Sequence, residues 1–444
     1  MFKIKEKYWL LTLLFLVGLM IFHYFLPIIQ DDIYFAKHAS EIFLLNSNNF
    51  LLYRVTHWTS RIITEFFLPL LAKNPNIWKV IDSLLFLLFA ILLPKVVIKD
   101  YDELNDNKKF IYTLIGIILV IIFIYTNYYA LMSAGFISTT LNYTWPFIFG
   151  LIHFYLVKNF ILHKKNVSIF IYIASIFSLL FAINVEIMAV IMFGAYLLIL
   201  KKYFYPPSLK KKKENKAIVI FVILTLIFII FHLINPGNQE RFAVELAAYG
   251  GDLFNSLSLF NKIDIASTSI LCMTLLNVEL VLYTFLGILG IYSYYLTKNK
   301  FKSLIISLPF IFYTIFLIIS SIFNIHGEIF SIFTPAGLLS SPITKMSLLF
   351  IIFYAIIILI LIYACIIIAQ NKSKEFGFLI FFLLFLSFLS QSTISFTPSV
   401  MITGYPFVDA LGRWWIIFNG IITILSALLI FDLLDNLIEL PRFE

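Results

Sequence analysis

Two adjacent carboxylates, Asp31 and Asp32, stand directly after the first long apolar run of the chain. Neighbouring carboxylates repel each other, so the pKa of one tends to rise, which suits an acid or a base at a membrane surface. An ionisable side chain at the end of a lipid-spanning segment is also a functional candidate in its own right. The pair is equally consistent with a marker of topology or with the N-cap of a helix in a solvated loop.

Other acids and cations occur at the ends of later apolar runs. Glu186 lies in a short turn between two such runs, where a solvated turn residue is the simpler explanation. Arg241 follows the Pro-Gly-Asn turn that ends at Asn238; the glycine permits a bend, and the arginine could pair with a phosphate through two N–H groups. An ordinary turn that ends a helix explains the same residues.

Two more arginines have simple explanations beside the functional one. Arg61, with His57 shortly before it, lies in a half-apolar stretch where an arginine can snorkel to the interface. Arg413 precedes two tryptophans, and aromatic residues with a cation form the usual interfacial belt of a span. Acids and arginines at a lipid–water boundary together suit chemistry on a lipid-linked phosphate, because a carboxylate can take a proton from an acceptor hydroxyl while an arginine stabilises the departing phosphate.

The composition indicates what must position these groups. Of the 444 residues 61% are hydrophobic and 13% are charged, and the mean hydropathy is +0.99. Soluble domains are about a quarter charged, and the apolar residues here come in blocks of membrane-spanning length. Backbone groups in lipid must be satisfied within the segment, so the sequence predicts an all-α, polytopic integral membrane protein. The net charge of +8 does not indicate nucleic acid, because the lysines lie in loops that flank the spans.

The pattern predicts about twelve transmembrane helices in one transmembrane domain that covers residues 1–444. The predicted spans are Tyr8–Ile29, Ile77–Ile98, Phe110–Asn127, Leu141–Val157, Val167–Ile183, Ile187–Leu200, Ala217–Ile234, a span within Ile265–Leu296, Ser303–Phe323, Ser347–Ala369, Phe378–Ile394 and Trp414–Leu434.

The lysines predict the orientation of these spans by the positive-inside rule. The basic loop 201–216 is predicted to be cytoplasmic, as are both termini. The loops 30–76, 235–264 and 395–413 are predicted to be extracytoplasmic, and the first of them to contain an interfacial helix. The candidate residues then all lie on the outer face of a cell membrane.

Several short stretches carry a resemblance to a known family. They are Asp31-Asp32, Trp58-Thr59-Ser60-Arg61, Leu141-Asn142-Tyr143-Thr144-Trp145-Pro146, Asn184 with Glu186, Pro236-Gly237-Asn238 with Arg241, and Gly412-Arg413. Together they resemble the C-type membrane glycosyltransferases, which are multi-span proteins with an acidic motif in the first outer loop and polyprenyl-phosphate sugars as donors. More narrowly, the chain resembles a bacterial family of that superfold akin to O-antigen glucosyltransferases.

The resemblance implies a set of roles. Asp31 or Asp32 would be the catalytic base. The donor phosphate would be bound by Arg61, Arg241 or Arg413, and the sugar site would be shaped by Asn142, Trp145 and Glu186. His57 and Asn238 are further candidates for substrate binding. It implies an inverting transfer to a cell-surface glycan or lipid acceptor in envelope polysaccharide synthesis, without metal or cofactor. The sequence departs from the family where Thr59-Ser60 stands, since a glycine is expected just before Arg61.

Two other classes of protein remain open. A transporter or flippase of a lipid-linked precursor would have inverted repeats, broken helices and charges at mid-membrane. A non-catalytic partner in envelope assembly would not need Asp31 or Asp32.

Overall fold

The computed structural model describes residues 4–44, 49–98, 100–161, 167–204, 212–249, 251–263, 266, 279–323, 345–395, 413 and 415–438. These residues form helices and no strand, which confirms the all-α part of the prediction. They divide into two compact units, one made of Met1–Val120 with Tyr128–Val244 and the other of Ile121–Asn127 with Glu245–Glu444.

The described residues of the first unit form thirteen α-helices, the sixth and the last of which run on into the second unit. They are α1 Ile4–Tyr24, α2 Asp31–Lys37, α3 Phe50–His57, α4 Ile62–Lys73, α5 Pro75–Val97, α6 Asp106–Thr126, α7 Tyr128–Met132, α8 Phe136–Thr139, α9 Trp145–Leu156, α10 Ile169–Ile183, α11 Glu186–Phe204, α12 Lys212–Ile234 and α13 Pro236–Tyr249. Two π-helices, Thr140–Thr144 and Val157–Ile161, flank α9, and two 3₁₀ turns lie at Glu41–Phe43 and Tyr101–Glu103.

The second unit holds six further helices among its described residues. They are α14 Gly251–Ser256, α15 Leu280–Thr297, α16 Lys300–Phe323, α17 Lys345–Asn371, α18 Lys374–Ser395 and α19 Trp415–Ile438. Within this unit α15 packs against α16 and α19, and α18 packs against α17 and α19.

Nine helices of the described chain are long and apolar enough to cross a membrane. They correspond to nine of the predicted spans, while the segments predicted at 141–157, 167–183 and 187–200 are broken or shorter. Helix α9 has only 12 residues between its two π-helices, α10 has 15, and the apolar part of α11, Glu186–Leu200, is also shorter than the nine. The count of twelve therefore stays a prediction, as does the side of the membrane on which each loop lies.

The first predicted span ends earlier than the sequence indicates. Helix α1 stops at Tyr24, not at Ile29, and Phe25–Ile29 runs on without helical structure. Pro27 explains the difference, because it has no N–H and disfavours helical dihedrals in the residue before it. The chain then enters α2, which packs on α4 and carries the acid pair.

The interior of the first unit is organised around α5. This helix packs against α1 on one side and α9 on another, and its buried side chains include Trp78, Phe86 and Phe89. It begins at Pro75, which is well suited to a first helical position because its missing N–H would have no partner there. Asn74 interrupts the helical run before it, as the sequence predicts.

Candidate functional site

The acid pair opens α2 and is hydrogen-bonded to α8 and to the segment that leads into α8. The Asp32 carboxylate has 0% of its surface exposed and accepts hydrogen bonds from the backbone N–H groups of Ser138 (2.8 Å) and Ile137 (3.3 Å). The Asp31 backbone N–H donates to the Ala134 carbonyl at 3.0 Å, and the Asp31 side chain is half-buried. Asp32 therefore anchors the pair, while Asp31 keeps part of its surface open to solvent.

Two unusual backbone conformations frame this anchor. Gly135 has φ +111°, and a Cβ atom there would lie 2.5 Å from the Asp32 carboxyl carbon, so that only glycine fits. Gln30, directly before the pair, has φ 47° and ψ −115°, which is rare for a residue with a side chain. Strained dihedrals of this kind persist only where the surrounding structure enforces them, and they concentrate at functional sites.

Burial raises the pKa of the Asp32 carboxyl from 3.8 to about 6. The hydrogen bonds from Ser138 and Ile137 act in the opposite direction because they favour the carboxylate, and the charge of Asp31 raises the pKa further. Asp32 consequently changes its protonation state close to neutral pH, and the strength of its hydrogen bonds to the two backbone N–H groups changes with it.

A π-helix connects the acid pair to the arginine side of the site. Asn142 lies within the π-helix Thr140–Thr144, a rare conformation that is often found at functional sites. Its Nδ2 donates to the Ser138 carbonyl at 2.8 Å, and its Oδ1 accepts from Arg61 Nη1 at 3.1 Å. The segment that holds Asp32 is therefore hydrogen-bonded, through one amide, to Arg61.

Arg61 is held mainly by Glu186. Its Nε and Nη2 donate to Glu186 Oε2 at 2.9 and 2.8 Å, and Nη1 lies 3.5 Å from the Tyr143 hydroxyl. The side chain of Arg61 is 10% exposed and that of Glu186 is 32% exposed. With Asn142 included, four of the five N–H donors of a guanidinium have partners within the protein. Arg61 is therefore better suited to organising the site than to binding a phosphate.

Asn184 and Glu186, the two polar residues of the predicted turn, have separate tasks. Asn184 is fully buried, its Oδ1 accepts from the Ile63 N–H at 2.9 Å, and its Nδ2 donates to Thr64 Oγ1 at 3.1 Å. It thereby satisfies a backbone donor in the first turn of α4, which would otherwise have no partner. Glu186 begins α11, and its carboxylate accepts a hydrogen bond from Arg61, the residue directly before the first turn of α4.

The Pro-Gly-Asn turn also closes on the residues just before α4. Asn238 Oδ1 accepts from the Ser60 N–H at 3.1 Å, and Asn238 Nδ2 donates to Ser60 Oγ at 2.8 Å. Ser60 Oγ lies 2.6 Å from His232 Nδ1, while His232 Nε2 donates to the Ile183 carbonyl at 2.9 Å. A Cβ atom on Gly237 would lie 2.6 Å from a backbone carbonyl, so the close approach of the turn requires glycine.

Trp58 brings Arg241 and Arg54 together. The guanidinium carbons of both arginines lie 5.6 Å from the centre of the Trp58 ring, within the range of a cation–π interaction. Arg54 also forms two hydrogen bonds of 2.9 Å with the Glu65 carboxylate and lies over the ring of Phe35 on α2. Arg241 is thus placed beside the residues that support the acid pair.

His57 and Arg413 are placed differently from the other predicted residues. His57 is exposed, stacks on Tyr53 with ring centres 4.9 Å apart, and lies 2.6 Å from Thr56 Oγ1. It makes no described contact with the network around Arg61. Arg413 belongs to the second unit, and the rest of the last predicted outer loop, 396–412, lies outside the described residues.

Trp145 is buried inside the first unit, with 4% of its surface exposed. Its indole Nε1 donates to Asp82 Oδ1 at 2.6 Å, and the other oxygen of Asp82 lies 2.6 Å from His23 Nε2. Both partners belong to helices that are long and apolar enough to span a membrane, His23 to α1 and Asp82 to α5. Trp145 therefore supports the site from within and does not present its ring to a ligand.

Three polar pairs of the site are absent from the sequence-based candidates: His23 with Asp82, Arg54 with Glu65, and Ser60 with His232. A signal was available for the first pair, because a charged residue inside an apolar run is itself a functional candidate. In the other two pairs the residues are far apart in sequence or of common types, so their pairing is visible only in the folded chain. Among the described residues, no group of three His, Cys, Asp or Glu side chains could hold a metal ion.

The described residues form a helical protein with helices long and apolar enough to span a membrane, and with a largely buried network of acids, arginines and amides in one unit. Comparison of the chain with known protein families, with curated proteins and with solved structures gives no match.

Proposed function

We propose that the chain is a membrane glycosyltransferase that moves one sugar from a polyprenyl-phosphate donor to a hydroxyl of a cell-surface glycan or lipid, on the outer face of the membrane. The observation that carries the proposal is the fixed acid pair at Asp31-Asp32, which is hydrogen-bonded through Asn142 to the Arg61–Glu186 pair. A base and cations held in one polar network where apolar helices end suit a lipid-linked phosphate donor and a hydroxyl acceptor.

Asp31 is the proposed base. A general base must come within hydrogen-bond distance of the proton it removes, and Asp31 retains exposed surface whereas Asp32 has none. Asp32 acts through Asp31, because it pins the start of α2 to the backbone at Ile137 and Ser138.

The transfer is a single displacement. Asp31 takes the proton of the acceptor hydroxyl, and the hydroxyl oxygen forms a bond to the anomeric carbon of the sugar. The bond from that carbon to the phosphate oxygen breaks, and its electron pair leaves with the polyprenyl phosphate. Arg241, held over Trp58, is the proposed cation for the leaving phosphate, and the anomeric configuration is inverted.

The sugar hydroxyls are proposed to be bound by Glu186, Asn142 and Asn238. All three side chains are only partly buried, and they converge on Arg61 and Ser60. A carboxylate and two amides offer both acceptors and donors, which hydroxyl groups require.

The test is sugar transfer by the purified full chain in lipid nanodiscs, with a panel of labelled polyprenyl-phosphate hexoses and a cell-envelope acceptor fraction. Asp31→Asn should abolish transfer and Asp32→Asn should weaken it strongly. Asp106→Asn, which changes an exposed acid at the start of α6, is the matched control. Full transfer by the Asp31→Asn/Asp32→Asn double variant would refute the proposed base, and absence of transfer by the unaltered chain with every donor would refute the proposed reaction.

A transporter of lipid-linked precursors is the second candidate, and the His23–Asp82 pair favours it. Ionisable residues inside spans commonly mark the path of a substrate or an ion. Flipping of a labelled polyprenyl-phosphate lipid by proteoliposomes, lost in Asp82→Leu and without sugar transfer, would support this candidate over the transferase.

A further inference from the structure

One face of α5 is hydrogen-bonded to both ends of the π-helix that carries Asn142. Trp78 Nε1 donates to Thr140 Oγ1 at 3.0 Å, and Asp82 Oδ1 accepts from Trp145 Nε1 at 2.6 Å. Trp78 and Asp82 are one helical turn apart, so their side chains lie on the same face of α5. Thr140 is the first residue of the π-helix and Trp145 directly follows its last residue.

The hydrogen-bond partners of His23 indicate which of its two ring nitrogens carry protons. Its Nδ1 faces the Leu19 carbonyl at 2.7 Å and Ser83 Oγ at 3.0 Å. The Ser83 hydroxyl donates its proton to the Lys79 carbonyl at 2.7 Å, so both partners of Nδ1 are acceptors and Nδ1 carries a proton. At 2.6 Å from Asp82 Oδ2, Nε2 also needs a proton between the two atoms. The two side chains together hold that proton and are neutral as a pair.

Neutrality as a pair explains how an acid can be fully buried in a spanning helix. His23 is 1% exposed and Asp82 is 0% exposed. Removal of one partner of a buried ion pair leaves an uncompensated charge, which is strongly destabilising. Conversion of the remaining partner into a neutral group of the same shape removes that penalty.

We propose that Trp78 and Asp82 are positioning residues that clamp the π-helix so that Asn142 faces Arg61, and that His23 makes the clamp possible by sharing one proton with Asp82. Asn142 and the Tyr143 hydroxyl reach Arg61 from within the clamped segment. The consequence for sugar transfer rests on the proposed function, whereas the clamp itself does not.

The clamp has a spectroscopic signature in the Trp145 indole. In the full chain labelled with [15N]tryptophan in nanodiscs, the Trp145 indole proton, assigned through Trp145→Phe, should resonate far downfield and exchange slowly because it donates to a buried carboxylate. Asp82→Asn should shift the resonance upfield, since the acceptor becomes a neutral amide oxygen, and should leave slow exchange intact. Asp82→Leu should remove the hydrogen bond and raise the exchange rate of the indole proton about 100-fold. An indole resonance that is unchanged in both variants would overturn the clamp.

The role of His23 is tested by rescue. His23→Ala should lower the yield of folded protein or, where it folds, raise amide exchange in residues 136–145 about 100-fold, because Asp82 is left charged. The double variant His23→Ala/Asp82→Asn should return the yield and the exchange rates to within about threefold of the unaltered chain. Thr12→Ala, which removes a buried hydroxyl of α1 bonded only within its own helix, is the matched control. A double variant as impaired as His23→Ala, or a His23→Ala chain identical to the unaltered one, would overturn the proton-sharing role.

Activity separates this inference from the proposed function. If the unaltered chain transfers sugar, Asp82→Leu should lower kcat at least about 10-fold at 25 °C, with less change in KM, because a misplaced Asn142 weakens contacts in the transition state. Transfer at the normal kcat would overturn the clamp and leave the proposed function standing. If the unaltered chain transfers nothing, the indole and exchange measurements still decide the clamp.

Discussion

Gly135→Ala should destabilise the first unit through the anchor of Asp32. The backbone of Gly135 has φ +111°, a conformation that costs a residue with a side chain about 1–3 kcal/mol. The new Cβ atom would also lie 2.5 Å from the Asp32 carboxyl carbon and must displace it from two backbone N–H groups. Each hydrogen bond to a charged group contributes about 1.5–3 kcal/mol. With the lower ends of these ranges, the backbone strain and the two lost hydrogen bonds together come to about 4 kcal/mol.

The assay is thermal unfolding of the full chain in nanodiscs, followed by the fluorescence of buried tryptophans. For a unit of this size about 4 kcal/mol corresponds to a fall in Tm of roughly 10 °C. Gly18→Ala is the control: Gly18 lies in α1 and has no atom within 4 Å of the position that its Cβ would take, so its Tm should change little. If Gly135→Ala unfolds at the same temperature as Gly18→Ala, then Asp32 is not confined as described, and the argument that it anchors Asp31 fails.

Three further outcomes follow from the same network. The pKa of Asp32 is raised from 3.8 to about 6 in the folded chain, so its protonated form stabilises the fold by about 3 kcal/mol at most. This contribution is complete below the unfolded pKa and is lost as the pH rises through 6. Denaturant titrations from pH 4 to 7 should therefore show a falling free energy of unfolding in the unaltered chain and not in Asp32→Asn. Arg61→Lys should lower the free energy of unfolding by about 1–3 kcal/mol, because a lysine cannot reproduce the planar contacts to Glu186 and Asn142, and a double-mutant cycle with Glu186→Gln should measure the coupling. Gly237→Ala should cost about 1–3 kcal/mol in denaturant titrations because its Cβ would meet backbone atoms at 2.6–2.8 Å; stability equal to that of the unaltered chain would contradict the close approach of the Pro-Gly-Asn turn.

The helical class and the positions of most of the long apolar helices could be predicted from the sequence, because apolar blocks of membrane length have only one stable backbone solution in lipid. The ends of the helices were less predictable. Pro27 ends α1 before the apolar run does, and Asp31 and Asp32 then form the first turn of α2 in a position that the end of the apolar run alone does not define.

Of the candidate site residues, Asp31, Asp32, Arg61, Asn142, Glu186, Asn238 and Arg241 all lie in the first unit and are linked there by contacts through a few intervening residues. The carboxylate partners of the arginines were not predictable, since Arg61 meets Glu186 and Arg54 meets Glu65 only in the folded chain. The resemblance counts Arg61 among the candidates for phosphate binding, whereas in the structure four of its five N–H donors already have partners.

The side chains of Asn142 and Trp145 point in different directions, and the π-helix explains why. The resemblance implies that both residues shape a single sugar site, and in a regular α-helix residues three apart would share one face. The π-helix Thr140–Thr144 inserts wider turns between them and changes the register of the side chains. Asn142 is then turned to Arg61 at the start of α4, while Trp145 is turned to Asp82 inside α5. A single local departure from α-helical geometry thus divides one predicted cluster into a polar group that contacts Arg61 and an aromatic group that supports the site from within. Trp78 and Asp82 on α5 are hydrogen-bonded to Thr140 and Trp145, at the two ends of the π-helix.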